Sequence, residues 1–326
     1  MKKEEEKPSV EGRLTNVKRL IMRFQTPRTI VQFLFFILFF GLFLGFGPWP
    51  ILVPVIGLLG VPTKTMGDAL GSLQYMLYLL VPPALALASI FVAAVILNRA
   101  FCAWACPFGL VQDMLNLVKK RHTKVSPRTH NQMIYVKYFV LAATLLISGT
   151  LAASVAAGIG SSYKDALGVF ALAPFNALSP ADTLFAVVPR TVIDSNYVLT
   201  DLLAQPGADI SGAIISSITA VSALFWARIF ILALTFVLAI YVPRGWCRYV
   251  CPQGAFSALF SRFSFLGLRR DPVHCSRAGC RDCVEACPML VPILEEPWEK
   301  FTHPECIMCL KCVDACSTKA IKLKFS

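Results

Sequence analysis

Eight cysteines crowd the 42 residues from Cys275 to Cys316, and their spacing constrains this chain more than any other feature. They form two runs, C-x4-C-x2-C-x3-C-P and C-x2-C-x2-C-x3-C, separated by 18 residues. In such runs three nearby thiolates ligate one 4Fe-4S cluster and the fourth reaches across to the other. The spacing therefore predicts two clusters. One would be held by Cys275, Cys280, Cys283 and Cys316, and the other by Cys306, Cys309, Cys312 and Cys287.

The pattern departs from the ideal in two places. Its first gap holds four residues instead of two, and Ser317 stands where proline usually follows the last cysteine. A disulfide scaffold would need an oxidising compartment, and zinc would leave the third cysteine of each run unexplained, so both alternatives are weaker. A segment this small buries little surface, so cluster ligation is expected to supply much of its folding energy.

Composition places the whole chain in the membrane class. Of its 326 residues, 56% are hydrophobic and only 15% are charged, and the mean hydropathy is +0.64. Soluble domains carry about 25% charged residues. The formal net charge of +12 suggests nucleic acid at first sight, but the basic residues flank apolar runs, which favours a role in topology and no nucleic-acid partner.

Four apolar runs are predicted to cross the membrane: residues 30–47, 73–97, 134–157 and 223–242. Prolines, and no small-residue cleavage site, follow the first run, so it is expected to stay as an anchor. The interrupted stretch 49–62 should lie at the far interface or dip back in. Pro82 and Pro83 are expected to kink the second span.

Basic residues fall mainly on one side of this topology. Eight, six and twelve Lys or Arg lie in residues 1–29, 98–133 and 243–326, against one and two in residues 48–72 and 157–222. The positive-inside rule then places both termini in the cytoplasm, with a multi-pass chain in the inner membrane. The expected domains are a basic cytoplasmic tail at 1–29, a four-span membrane domain at 30–270 and a small α+β ferredoxin-like domain at 271–326.

The other four cysteines form an internal repeat. Arg99 to Gly109 reads RAFCAWACPFG and Arg244 to Gly254 reads RGWCRYVCPQG, an offset of 145 residues. Each copy follows the second helix of a predicted helical hairpin, so the membrane domain is expected to be two parallel repeats that bring both CxxxCP motifs together. The thiols concerned are Cys102, Cys106, Cys247 and Cys251.

Several chemistries suit this thiol set. Cysteines at i and i+4 share one helix face, and the proline starts a helix whose first amides favour thiolates nearby. Four converging thiolates could hold a third iron–sulfur cluster or a copper ion, or cycle as disulfides. The alternative is four structural cysteines at helix ends. The sequence alone leaves these options open.

A four-span chain with two cytoplasmic CxxxCP motifs and a double 4Fe-4S array resembles the NapH/MauN family of quinol dehydrogenase membrane subunits. The resemblance covers nearly the whole chain. The NosR-type proteins and the CcoG/RdxA group share its core, although this chain has no room for the flavin domain of the NosR type. The resemblance implies electron transfer between membrane quinol and other subunits of a redox complex. The alternative, drawn from the CcoG/RdxA group, is a copper reductase that assists metalloenzyme assembly, and a third option is a structural anchor for soluble redox subunits.

Remaining polar residues carry weaker signals. No histidine lies in a predicted span, so a bis-histidine haem inside the bilayer is excluded and the clusters must serve quinone. Neither a P-loop nor a GxGxxG after a strand is present, which leaves no nucleotide site. Arg228 and Lys137, within spans, are expected to snorkel to the interface. His274 and His303 lie beside cluster cysteines and are expected to be ordinary exposed residues.

Overall fold

The structure is a computed structural model that describes residues 24–58, 61, 64–119, 123, 125–171, 173–191, 223–275 and 280–325. Most of the predicted tail at 1–29, His122 and much of the predicted 157–222 loop lie outside the described residues. The helices are α1 (Gln25–Phe39), α2 (Ala69–Tyr78), α3 (Ala84–Leu97), α4 (Ala100–Trp104), α5 (Pro107–Leu115), α6 (Pro127–Ala156), α7 (Gly160–Leu167), α8 (Pro180–Asp182), α9 (Ala223–Tyr241), α10 (Gly245–Tyr249), α11 (Pro252–Ser261), α12 (Asp282–Glu285) and α13 (Lys311–Ala315).

Two short strand pairs accompany the helices. β1 (Trp49–Val53) runs parallel to β2 (Met66–Asp68), and β3 (Leu266–Arg270) runs antiparallel to β4 (Ile321–Phe325). The second pair frames the cysteine-rich segment, because its strands precede and follow the eight cysteines in the chain.

Among the described residues, two helices are long and apolar enough to cross a membrane: α6, with 30 residues, and α9, with 19. They correspond to the third and fourth predicted spans. Both expose large apolar side chains, such as Phe139 at 75% exposed on α6 and Phe230 at 69% on α9. Apolar faces of this size fit a lipid surround better than water.

The first and second predicted spans are not continuous helices of spanning length. α1 ends at Phe39 and passes into a 3-10 turn at Gly41–Leu44. The second span breaks into α2 and α3, because Pro82 and Pro83 lack the N–H groups that would continue a helix. Leu80 takes a left-handed φ of 58° in the break, so the expected kink is a full interruption. A crossing by four unbroken helices is therefore not confirmed.

The stretch after α1 dips back into the protein. Val55, Ile56 and Leu58 are each at most 2% exposed, so this non-helical backbone is buried among other elements. Thr65 donates its backbone N–H to Phe39 O at 3.0 Å, which brings the chain back to the end of α1 just before β2 and α2 begin. The position of this stretch relative to the membrane stays a prediction.

Lys137 does not snorkel, whereas snorkelling of Arg228 stays a prediction. Arg228 lies close enough to Asp182 for its charge to lower the pKa of that carboxyl, although burial, the larger effect, raises this pKa to about 7. Lys137 is fully buried and bonds to the carboxylate of Glu305. Lys137 thus pairs with a carboxylate that the C-terminal segment brings to α6.

Two apolar cores meet at α4. The larger core joins α1, α2, α3, α5, α6, α10 and α11, and the smaller core surrounds the cysteine-rich segment. Ala103 belongs to the smaller core, and Cys102 and Trp104 pack against it, although all three residues come from the first CxxxCP region. Trp104 Nε1 donates to Met308 O at 2.9 Å. The short helix α4 therefore joins the first CxxxCP motif to the cysteine-rich segment.

Candidate metal centres

One group of four cysteines in the C-terminal segment lines a shared, buried cavity. Cys287 comes from the first run and the other three from the second, as the spacing predicted. Leu268, Met289, Val291, Ile293 and Phe301 complete an apolar wall. We call this set the buried cysteine set: Cys287, Cys306, Cys309 and Cys312.

The other predicted group lies nearer to solvent. Cys275 and Cys316 are close enough to Cys283 for their charges to raise its pKa, after burial as the main cause. Cys280 is exposed, and the four residues before it lie outside the described part of the chain. The structure thus brings three of these thiols together and leaves Cys280 at the surface. We call this set the exposed cysteine set: Cys275, Cys280, Cys283 and Cys316.

The last cysteine of each run, which is predicted to ligate the cluster of the other run, accepts a similar backbone hydrogen bond in both runs. Val291 N donates to Cys287 Sγ at 3.4 Å, and Ala320 N donates to Cys316 Sγ at 3.3 Å. Both donors lie four residues after their cysteine. Amide hydrogen bonds to cluster sulfurs are one of the factors that set a cluster's reduction potential.

The two CxxxCP motifs fold alike. A five-residue helix, α4 or α10, carries the first cysteine, and the second cysteine precedes a helix that begins with proline. Cys106 has φ −68° and ψ 119°, and Cys251 has φ −63° and ψ 113°. This extended conformation is the one that a following proline favours.

The four CxxxCP thiols line one small cavity in the larger core. Its remaining wall includes Val55 and Ile56 from the re-entrant stretch and Arg99 from the first motif. Gln112 Nε2 donates to Cys247 Sγ at 3.0 Å. We call this group the four-thiol site: Cys102, Cys106, Cys247 and Cys251. Within the described residues, no three Cys, His, Asp or Glu side chains are arranged to hold one metal ion, and all twelve cysteines are free.

The arginine that opens each motif reaches across to the other motif. Arg244 Nη1 donates to Cys102 O at 2.8 Å, and a Cβ on Gly109 would lie 3.7 Å from Arg244 Nη2. A Cβ on Gly254 would lie 2.7 Å from Arg99 Nη2. Gly254 thus leaves room for Arg99 of the opposite repeat, whereas Gly109 leaves room for the Cys102 carbonyl, 2.8 Å from where its Cβ would lie. Both guanidinium groups are buried beside the thiols.

Each crossing arginine is anchored by a carboxylate that a second cation shares. Arg244 Nε donates to Asp113 Oδ1 at 2.9 Å, and Arg28 lies 3.2 Å from the same carboxylate. Arg99 Nη1 donates to Glu305 Oε2 at 3.1 Å, and Lys137 bonds to the same oxygen. These pairs are almost fully buried, so removing one partner would leave an uncompensated charge in the core.

Burial dominates the acidity of most of these thiols. It raises the pKa of Cys247 to about 12, helped by Cys106, and it raises the pKa of Cys287 to about 11. Cys316 behaves oppositely. Burial acts to raise its pKa, but hydrogen bonds from Thr318 and from backbone amides together lower it. A thiolate in the buried positions needs a compensating positive charge, such as iron or arginine, because burial disfavours the ionised form.

An anionic group suits the four-thiol site. Arg99 is 1% exposed, and its Nε and Nη2 have no hydrogen-bond partner among the described residues. Buried donors are nearly always satisfied. A cluster ligated by four thiolates carries net negative charge and would meet these donors, so the residues present fit an iron–sulfur cluster.

Sequence reasoning did not assign Arg99, Arg244, Asp113 or Glu305 to the sites. Both arginines stand at the start of the repeated motif, and this repetition could have identified them as site residues. Asp113 and Glu305 have no counterpart in the other repeat. His274 is exposed and paired with Asp271, as expected of an ordinary surface histidine. His303 is half-buried, and its Nδ1 accepts the backbone N–H of Glu305 at 3.1 Å.

Comparison with known proteins agrees with this chemistry. A family model described as a 4Fe-4S binding domain matches residues 78–124 and 211–270, and each segment contains one CxxxCP motif. The chain therefore carries a 4Fe-4S binding domain. It is 25% identical to the ferredoxin-type protein NapH of Escherichia coli, over 87% of this chain and 83% of that protein. It is 24% identical to the methylamine utilization ferredoxin-type protein MauN of Methylobacillus flagellatus, over 70% and 62%.

These similarities confirm the predicted resemblance to NapH/MauN-type ferredoxin proteins. The chain is also 28% identical to the uncharacterized protein MJ0749 of Methanocaldococcus jannaschii, over 71% of this chain. It spans 66% of the length of MJ0749 and 62% of that of MauN. No solved structure matches the chain.

Proposed function

We propose that this chain is an integral membrane iron–sulfur subunit that exchanges electrons between the quinone pool and a partner redox complex. The observation that carries the proposal is the arrangement of three thiol groups. The four-thiol site lies in the larger core, the buried cysteine set lies in the smaller core, and the exposed cysteine set opens to the surface. This order leads from the apolar helices toward solvent, where a partner subunit can dock.

Direct contacts join the successive sites. Trp104, two residues after Cys102, bonds to Met308, two residues after Cys306. Arg99 acts on Cys102 and Cys251 and also bonds to Glu305, the neighbour of Cys306. Helices α12 and α13 pack against each other, and each of them carries a cysteine of one of the two sets. When bound, iron–sulfur clusters at these places would accept and release single electrons. The protein holds them close together and sets their surroundings.

The four-thiol site is proposed as a third iron–sulfur site. The family match over both motifs and the two unpartnered donors of Arg99 support a cluster there. Four thiolates would also suit cuprous copper, which is the basis of the alternative function as a copper reductase or assembly factor. Metal analysis separates the two. About eight irons are expected from Cys275 to Cys316 alone, and about four more from the four-thiol site.

We also propose four crossings of the membrane with both termini in the cytoplasm. α1 and α2 would make the first crossing in series, α3 the second, α6 the third and α9 the fourth. The bond between Thr65 and Phe39 supports this order, because it places the start of α2 near the end of α1. Broken helices with buried non-helical backbone are tolerated at membrane depth. A reporter fused after Ser326 should be active only in the cytoplasm, and periplasmic activity would overturn the orientation.

The central test compares wild-type protein with a variant in which the four-thiol cysteines are replaced by serine. The purified wild-type protein is mixed anaerobically with a short-chain quinol. It should then develop the electron paramagnetic resonance signal of reduced clusters. The variant should keep the clusters of the C-terminal segment, as shown by dithionite reduction, but lose reduction by quinol. Equal reduction by quinol in both proteins would show that the four-thiol site is only helix-end architecture. Copper in place of the third cluster would favour the alternative.

A further inference from the structure

A cleft of about 1150 Å³ lies between α6, α11 and the loop from Glu296 to Glu305. We propose that this cleft binds the head group of a lipid-soluble quinone or quinol. The inference rests on the proposed function and assigns its substrate a place that the sequence left open. We call this cavity the α6–α11 cleft.

The mouth of the cleft is apolar and continuous with the face expected to meet lipid. Tyr135 on α6 is 72% exposed, and Phe263, just beyond α11, is 75% exposed. On α6 the exposed apolar stripe continues through Phe139 and Leu146, which follow Tyr135 at helical spacing along the predicted span. A ligand dissolved in the bilayer would therefore reach the cleft without crossing water.

The floor of the cleft is polar. Glu305, Tyr138 and His303 line it, and Tyr138 interacts with the Glu305 carboxylate. His303 Nε2 lies 4.0 Å from Glu296 Oε1, and both side chains are only partly buried. Arg262 and Lys300 also line the cleft. An apolar channel with a few convergent polar groups is typical of a site for an amphipathic small molecule.

Redox thiols flank this floor on two sides. Glu305 directly precedes Cys306 of the buried cysteine set. The carboxylate of Glu305 bonds to Arg99, whose charge interacts with Cys102 and Cys251 of the four-thiol site. A head group on the floor would therefore sit beside two sites that each handle one electron. A carrier of two electrons suits that position, which distinguishes a quinol from an ordinary phospholipid.

The apolar cavity between α1, α4 and the C-terminal segment is a weaker candidate. Its volume is about 400 Å³, and the one indole N–H on its wall, that of Trp104, is already donated to Met308 O. A quinone carbonyl there would lack a hydrogen-bond donor. The α6–α11 cleft offers such donors, so the polar floor decides between the two cavities.

The test uses the full-length protein in nanodiscs and an azido-substituted short-chain quinone as a photolabel. Mass spectrometry should locate the adduct in residues 131–138, 258–263 or 296–305. Ile134→Trp would fill the cleft and should weaken labelling by about tenfold or more, the factor that 1.4 kcal/mol represents. Leu259→Trp does the same from the opposite wall. Phe230→Trp, on the exposed face of α9 and away from the residues that line the cleft, is the control and should label like wild type.

Each result decides one question. Labelling of Phe24, Phe35 or Phe101 would place the quinone in the other cavity and overturn the inference. An adduct that excess unlabelled quinone does not compete away would mean that the cleft does not select quinone over the surrounding phospholipid, and would overturn the inference as well. Reduction of the clusters by quinol in Ile134→Trp and Leu259→Trp at the wild-type rate would reject this cleft but keep the proposed function. If quinol reduces the clusters of no variant, including wild type, the proposed function itself fails. Dithionite reduction monitors cluster integrity in every variant.

Discussion

The buried and exposed cysteine sets come from the same pair of sequence runs but differ in exposure, although Cys283 of the exposed set is itself buried in the smaller core. Apolar side chains such as Met289 and Phe301 enclose the buried set. In the exposed set Cys280 is open to solvent and Cys316 accepts hydrogen bonds that lower its pKa. Burial disfavours added negative charge, whereas solvent and hydrogen bonds favour it. The two clusters should therefore differ in potential, and the more exposed cluster should accept electrons more readily.

The difference in exposure also suggests different roles for the clusters predicted at the two cysteine sets. The buried set lies in the smaller core, so a cluster held there would replace part of the apolar contact that a segment of this size lacks. The exposed set lies at the rim, next to residues outside the described part of the chain. The inner cluster should hold the domain together, and the outer cluster should serve exchange with a partner.

The largest expected effect comes from comparing Cys309→Ser with Cys280→Ser. Cys280→Ser should lower the iron content by about four per chain and leave the rest of the domain folded. Cys309→Ser should remove both C-terminal clusters and expose the segment to protease, because the core loses its centre. Iron analysis and limited proteolysis of the purified protein measure both effects. Equal protease resistance of the two variants would remove the distinction between an inner structural and an outer peripheral cluster.

The second prediction asks whether the two CxxxCP motifs form one site. Cys102→Ser and Cys247→Ser should each remove the same spectral component, and the double variant should lose little more, because ligands of one unit are non-additive. Quinol-linked reduction and iron content are the measurements. Losses that add would mean two independent sites. The signals of the C-terminal clusters serve as the internal control.

A third prediction concerns the crossing arginine beside the four-thiol site. Arg99→Gln removes a buried positive charge, so adding an electron becomes less favourable and the potential of the nearby centre should fall. The shift should be on the order of 50 mV or more, given the strength of a close charge interaction in a protein interior. Redox titration followed by paramagnetic resonance measures it.

Two variants make that test specific. Arg99→Lys keeps the charge but not the planar group, so it should recover part of the potential. Arg269→Gln removes an exposed arginine on β3 and should leave the potential unchanged. A potential that stays the same in Arg99→Gln would show that the guanidinium acts only on packing.

The sequence predicted which cysteines lie together better than it predicted the path of the chain. Ligand spacing groups Cys287 with Cys306, Cys309 and Cys312 because a cluster restricts the geometry strongly, and the structure places these four around one cavity. Helix breaks were harder to foresee. The interruption at Leu80 depends on a left-handed residue beside two prolines, and the end of α1 is met by a distant part of the chain, where Thr65 donates its backbone N–H to Phe39 O.

Long-range pairs could not be read from local patterns. Arg99 meets Glu305 across 206 positions and Arg244 meets Asp113 across 131. Periodicity and composition carry no information about such pairs, because each residue alone resembles an interfacial charge. The repeated motif does single out both arginines. That each arginine reaches into the other motif, however, is visible only in the folded structure, where the two motifs face each other.

Two carboxylates, Asp182 and Asp165, also differ in burial. Comparing them gives the last test, for which the expected effect is the smallest. Burial raises the pKa of Asp182 to about 7, while Arg228, Arg190 and Lys64 act against the rise and Asp68 adds to it. A raised carboxyl pKa means that the folded state binds the proton more tightly than the unfolded state. The cost of burying Asp182 is therefore absent near pH 4, grows as the pH rises and levels off above about pH 7.

Asp182→Asn should remove this cost, since the amide is neutral at every pH. Thermal unfolding in detergent should show the variant stabilised at pH 8 by about 1–3 kcal/mol, allowing for relaxation of the site, and stabilised by only about a quarter as much at pH 4.5, where the window has just opened. Asp165→Asn, on the exposed side of α7, is the matched control and should show no pH-dependent difference. A variant less stable at pH 8 than at pH 4.5, relative to wild type, would mean that ionised Asp182 forms a net favourable pair with Arg228. In that case the charge at Asp182 would stabilise the contact between α8 and α9.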